Sequence, residues 1–175
     1  MVDVIIPVYR PEREKLTKLI DWLNKQTVKP SHVFFMQTLV EKKEDEEVLQ
    51  MLQKAENAKV VPIEKKDFDH GGTRNKGAAL SKADYMLFMT QDAVPVDAYL
   101  IENLVQAMEK EEAATVYGRQ LPDDTVGVIE HYTREFNYPA KSYVKSKKDL
   151  ETMGIKTYFC SNVCAMYLKD VYEKM

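Results

Sequence analysis

The residues best equipped for chemistry are an aspartate, an arginine and an asparagine in one short span. Asp92 follows the apolar run Tyr85–Met89 in "YMLFMTQDAVP", and Arg74 and Asn75 stand upstream in "DHGGTRNKGA". A carboxylate can ligate a hard divalent cation such as Mg²⁺ or Mn²⁺, which keeps several waters and shares phosphate oxygens. A guanidinium can hold a diphosphate or a carboxylate through two parallel hydrogen bonds. Read at the start of a helix, beside its free backbone N–H groups, Arg74 and Asn75 face the kind of site that binds anions. The three residues together point to a phosphorylated ligand and a metal. Plain readings stand beside this one. Asp92 can simply shape a turn, and Arg74 can be a solvated surface charge.

Other chemistries find less support. "HGGTRNKG" is not a P-loop, because Gly77 is followed by Ala78 and Ala79 where Lys and Ser or Thr are required. It lacks the G-x-G-x-x-G spacing of dinucleotide sites, and the chain has no G-x-S-x-G elbow and no H-E-x-x-H helix. Asp67, Asp69 and His70 are too close in sequence to converge with Asp92 on one ion outside a dedicated loop. Cys160 and Cys164 have no further cysteine, and His32, His70 and His131 are scattered, which argues against a zinc site. The two cysteines read as reduced, buried, small apolar residues.

The elements that must position these residues follow from periodicity. Tyr85–Met89 is apolar without alternation, as in a strand covered on both faces of a parallel sheet. Ligands of open α/β sheets sit beyond the carboxyl ends of the strands, which is where Asp92 falls. Upstream, "VDVIIPVY" (Val2 to Tyr9) is a first strand, rich in β-branched residues and stopped by Pro7, and Leu16, Leu19, Ile20 and Leu23 mark a helix. Val33–Met36 is a second strand; Val48, Met51, Leu52 and Ala55 line a second helix behind a solvated charge run; and Lys59–Ile63 is a third strand. A glycine-bearing turn and a short helix precede the fourth strand. This β-α-β-α-β order argues for parallel strands and right-handed crossovers.

Beyond Asp92, Ile101, Leu104, Val105 and Met108 mark a helix and Ala114–Gly118 a strand. Residues 122–153 form a polar excursion of the kind that makes lids or binding segments, with Val126, Ile129, Tyr132 and Phe136 on one face of a helix. "YFCSNVCAMYL" returns as an apolar strand region. The chain of 175 residues fits one domain, with 45% hydrophobic and 30% charged residues. A net charge of −3 speaks against a nucleic-acid-binding surface. There is no signal-peptide pattern and no apolar run of the roughly 20 residues that a membrane span needs.

"VIIPVYRPE", "GGTRNKGA", "MLFMTQDAVP", "VYGRQLP" and "FCSNVCAM", in this order, resemble a family 2 glycosyltransferase. Within that family the chain is most similar to bacterial rhamnosyltransferase-type enzymes of surface-polysaccharide synthesis. The resemblance implies a GT-A fold, with a mostly parallel central sheet flanked by helices. It also implies an inverting transfer of a sugar, rhamnose in that subgroup, from a dTDP- or UDP-sugar to a polysaccharide or lipid-linked acceptor. A divalent cation, Mg²⁺ or Mn²⁺, goes with it. Carried across by position, Pro7, Tyr9, Gln37, Arg74, Asn75, Gln91 and Asp92 would bind the donor. Asp92 would hold the metal, and Ser161 and Asn162 would line the sugar or acceptor side. The likeness and the absent signal imply a cytoplasmic location, with peripheral association at the inner membrane face where a lipid-linked acceptor would be met.

Three departures qualify the likeness. Thr90 stands where the family has the first aspartate of D-x-D. Gln37 and Thr38 stand where an acidic residue usually meets the nucleobase. The carboxylate that serves as catalytic base is expected beyond Met175, which implies a piece of a longer enzyme. Thr90 and the missing base keep open a non-catalytic nucleotide-sugar-binding module. A nucleotidyltransferase is the remaining reading, weakened because "IIPVYRPE" has no glycine-rich loop.

Overall fold

Apolar strands joined by amphipathic helices fold as a sheet covered on both faces. The computed structural model describes residues 1–122 and 127–175, and among them the sheet has six strands. β1 (Val2–Val8), β2 (His32–Thr38), β3 (Ala58–Ile63) and β4 (Tyr85–Met89) run parallel. β5 (Thr115–Tyr117) and β6 (Cys164–Leu168) complete the order β3-β2-β1-β4-β6-β5, with β6 antiparallel to both of its neighbours. β1 is central, and its Ile5 lies in register with Phe34 of β2 and Phe88 of β4.

Seven α-helices are described: α1 (Arg13–Asn24), α2 (Lys42–Leu52), α3 (His70–Leu80), α4 (Leu100–Lys110), α5 (Val128–Asn137), α6 (Leu150–Met153) and α7 (Lys169–Tyr172). The period-2 alternation of the strands divides the core in two. Val4, Ile6, Val33, Phe35, Leu87 and Met89 pack under α1, α2 and α4. Ile5, Met36, Phe88 and Tyr167 face the other way, toward Ala78 of α3 and Tyr172 of α7. Gly77 permits the close seat of α3: a Cβ there would stand 2.5 Å from Ile5 Cγ2 and 3.3 Å from Met36 Sδ. The expected mostly parallel α/β sheet is present.

Two local expectations change, and a third holds. The run Gly71–Gly72, read as a turn, is helical. Asp69 caps α3 by accepting a hydrogen bond from the Gly72 N–H, and the Thr73 N–H donates to the Asp69 carbonyl at 2.8 Å. "YFCSNVCAMYL" is strand only from Cys164, because Ser161 turns the chain by accepting from the Cys164 N–H at 3.3 Å. The excursion after β5 holds α5, where Ile129, Tyr132 and Phe136 do share one face, although that face is exposed; Val126 lies outside the described residues. Among the described residues no helix is long and apolar enough to cross a membrane. Both cysteines are free and half-buried.

Candidate functional site

The strand order sets where a crevice opens. From β1 the chain crosses to β2 and β3 on one side, then returns to place β4 on the other. At such a reversal the connections leave in opposite directions beyond the carboxyl ends of the strands, and ligands bind there. Here those ends are Tyr9, after β1, and Thr90–Asp92, after β4.

The two ends are clasped by one side chain. The Gln91 amide accepts from the Tyr9 N–H at 2.8 Å and donates to the Tyr9 carbonyl at 3.0 Å. It thus reproduces a strand-like pairing where the backbones have parted. Gln91 is spent on architecture as much as on any ligand. The Ala93 N–H then donates to the Thr90 carbonyl at 3.1 Å, closing a turn that carries Asp92. Asp92 is exposed, and no hydrogen bond or ion pair engages its carboxylate among the described residues. Beside it, Tyr9 stacks on Phe68 with ring centroids 6.2 Å apart, and the Arg10 guanidinium lies 5.8 Å from the Tyr9 centroid. Arg10 reaches that position through a left-handed backbone, with φ of 41°.

A narrow cleft continues from Tyr9 between β1, β2 and α2. It is lined by Val8, Arg10, Gln37, Thr38, Asp45 and Val48, with a cavity volume of about 10 Å³. That is room for about one water molecule, far below the roughly 300–1,000 Å³ of whole-ligand pockets, so a ligand ring enters only if the walls part. Gln37 is buried and donates its amide N–H to the Asp45 carbonyl at 2.9 Å. Thr38 is also buried, and among the described residues its hydroxyl has no partner. A buried polar atom without a partner is costly, and a ligand is one way to satisfy it. Pro7 is half-buried within β1, in register with Met36.

Arg74 and Asn75 lie in the second turn of α3, one turn further in than the expected helix start, because Asp69 begins the helix at His70. Arg74 donates from Nη1 to the His70 carbonyl at 2.9 Å, and its Nε is buried without a partner among the described residues. Burial holds its guanidinium below the usual pKa, while the Tyr172 and Tyr167 hydroxyls nearby act the other way. Arginine stays cationic at neutral pH regardless. Asn75 accepts from the Tyr172 hydroxyl through Oδ1 at 2.5 Å.

On the far side of β4, Asn162 Oδ1 accepts from the Tyr167 hydroxyl at 2.8 Å. Ser161 Oγ accepts from Gln120 Nε2 at 2.9 Å, and the Gln120 side-chain Oε1 accepts from Arg134 Nη1 at 2.6 Å. Thus "GRQ" after β5 ties the start of β6 to α5. Tyr9 and Gln91 meet directly, and Asp92 follows in the same turn. Asn75 and Asn162 approach each other only through two tyrosines. Sequence reasoning missed Arg10, Tyr167 and Tyr172. Arg10 was signalled by its place directly after a strand end; Tyr167 lies in the expected strand region and Tyr172 just after it.

A single free carboxylate fits a hard cation that keeps its waters and takes phosphate oxygens from a substrate. It does not fit an all-protein cage, and no group of three or more His, Cys, Asp or Glu could hold a metal among the described residues. The isolation of Asp92 is thus consistent with a shared metal site. Thr90 supplies no second carboxylate.

The family model of glycosyl transferase family 2 matches residues 3–175. O-antigen chain rhamnosyltransferase RfbN of Salmonella typhimurium is 36% identical over 175 residues, covering 99% of this chain and 54% of its own length. O-antigen chain rhamnosyltransferase WbaN of Salmonella anatum is 30% identical over 173 residues, with 98% and 53% covered. This chain therefore spans about half the length of both relatives. Among solved structures, the mannosyltransferase PcManGT of Pyrobaculum calidifontis superposes with a TM-score of 0.68 at 14% identity, over 99% of this chain and 46% of that one. S. aureus TarS 1–349 does so with a TM-score of 0.66 at 18% identity, over 99% and 48%. At such identities the structural likeness is one of fold, and it is the GT-A fold that the strand order and switch point build. Fold, motif order and family match agree: this chain belongs to glycosyl transferase family 2.

Proposed function

We propose that this chain is the donor-binding part of an inverting glycosyltransferase that moves a sugar from a nucleoside diphosphate to a polysaccharide or lipid-linked acceptor. The observation that carries this reading is the free Asp92 carboxylate held at the β1/β4 switch point by the Gln91–Tyr9 clasp. The names of the relatives favour rhamnose and an O-antigen chain. The neighbours were solved with UDP in TarS and with GDP-Man and Mn²⁺ in PcManGT, which supports a nucleotide donor and a divalent cation.

The residues divide the work by their chemistry. The nucleobase would lie against Gln37 and Thr38, where the Thr38 hydroxyl has no partner among the described residues. Arg74 and Asn75 face the diphosphate with a charge and an amide. Asp92 would hold the cation, which when bound offsets the charge that grows on the leaving diphosphate. Arg74 adds to that stabilisation from its half-buried position, where water screens it less. Ser161 and Asn162 border the sugar. The acceptor hydroxyl must lose a proton to a base as it attacks.

Calorimetric titration with dTDP-rhamnose, UDP-glucose and UDP-galactose, each with and without Mn²⁺, tests this reading. Metal-dependent binding of one donor is expected. Asp92→Asn should weaken that binding at least about tenfold in Mn²⁺, the scale of a lost charged ligand, and leave the metal-free affinity unchanged. No binding of any donor would overturn the reading, and an unaltered Asp92→Asn variant would remove Asp92 as the ligand.

A further inference from the structure

We infer that Tyr172 and Tyr167 are positioning residues that orient the amides of Asn75 and Asn162 on either side of the donor site. The inference rests on the proposed function and adds to it two residues from β6 and α7. Tyr172 donates its hydroxyl to Asn75 Oδ1 at 2.5 Å, and Tyr167 donates to Asn162 Oδ1 at 2.8 Å. An asparagine amide has one accepting and one donating end. With Oδ1 committed in both, each asparagine presents its Nδ2 hydrogens to a ligand, and no protein group takes them among the described residues. Two amides that offer donors suit the oxygen-rich surface of a nucleoside diphosphate sugar.

The tyrosines act as a unit. Their ring centroids are 5.5 Å apart in an edge-on arrangement, and both rings lean on Phe88, at 5.6 Å from Tyr167 and 5.2 Å from Tyr172. Phe88 is fully buried in β4, the strand that ends at Asp92. One aromatic cluster therefore links α3, β4, β6 and α7, and sets both amides relative to the turn that carries Asp92. Burial raises the pKa of both phenols, so the hydroxyls keep their protons and remain donors at neutral pH. An aromatic at residue 172 would satisfy the packing as phenylalanine, so the hydroxyl has its own task.

The test is a double-mutant cycle read by titration of UDP and UDP-glucose in Mn²⁺, with thermal melting to verify folding. Tyr172→Phe keeps the ring and should weaken UDP roughly five- to tenfold, the loss of one oriented hydrogen bond. In an Asn75→Ala background the same change should add nothing, because its target is gone. Tyr167→Phe should weaken UDP-glucose by a similar factor and leave UDP unchanged. Equal losses with and without Asn75, or unaltered binding by both phenylalanine variants, would overturn the inference while leaving the donor reading intact. Failure of the unsubstituted chain to bind either nucleotide would overturn the donor reading, and this inference with it.

Discussion

Gln91 does with a side chain what a strand does with its backbone. Its amide pairs with both the N–H and the carbonyl of Tyr9, just where β1 and β4 diverge. Replacing it by alanine leaves those groups to water at the rim of the site. The expected cost is about 1 kcal/mol, or about 2–4 °C in Tm for a chain of this size. A donor affinity that falls along with Tm would show that the clasp also shapes the site; calorimetry and melting curves on Gln91→Ala give both numbers. Gln91→Glu should bind donor still less well, because a carboxylate cannot donate to the Tyr9 carbonyl and adds negative charge next to Asp92. Thr38 makes the converse case: its buried hydroxyl lacks a partner among the described residues, whereas Gln37, the longer and more suggestive residue, already donates to the Asp45 carbonyl.

At the level of elements, α3 is the piece whose placement matters most. It carries Arg74 and Asn75, and it reaches the sheet because Gly77 has no side chain. A methyl group there would press on Ile5 and Met36, both fully buried and locked in the core. Gly77→Ala gains up to about 1 kcal/mol in helix propensity, but overpacking a tight core costs about 1–3 kcal/mol. The net expectation is destabilisation by about 1 kcal/mol, read as a lower urea midpoint with an unchanged slope. An increase in the midpoint would show that Ile5 moves freely and that α3 is held elsewhere. α5 presents the opposite case, an amphipathic helix whose apolar residues Ile129, Tyr132 and Phe136 face outward, with Tyr132 stacked on Phe136 at 6.3 Å.

For the whole molecule, the electrostatic signature is a set of acids kept neutral by burial. Burial pushes the Cys164 thiol up to about 11 from 9.0, and raises Tyr117, Tyr167 and Tyr172 above the ordinary 10.0. A raised pKa in the folded state means that the unfolded chain releases its protons first. The stability these groups contribute is therefore complete below the ordinary values and falls as pH rises through them. Melting temperature should be level between about pH 7 and 8.5 and decline progressively above about 9, where the unfolded thiol and then the phenols ionise. Circular-dichroism melts across that range check it, and a Tm that rises above pH 9 would contradict it.

Much of this protein is legible without coordinates, and the reason is locality. Strands covered on both faces read as unbroken apolar runs, so β1 and β4 appear in the sequence at their right places, and a carboxylate after such a run marks Asp92. The helix start at His70 was hidden because two glycines resemble a turn, although Asp69 was there to cap it. What only the tertiary structure decided is which side chains share a partner. Gln91 clasps Tyr9 from 82 residues away, and Tyr172 reaches Asn75 across 97. Periodicity reports the face on which a residue lies. It carries no information on what a residue from another element brings to the same face, and in this chain that pairing decides which polar groups are committed and which are left to meet a ligand.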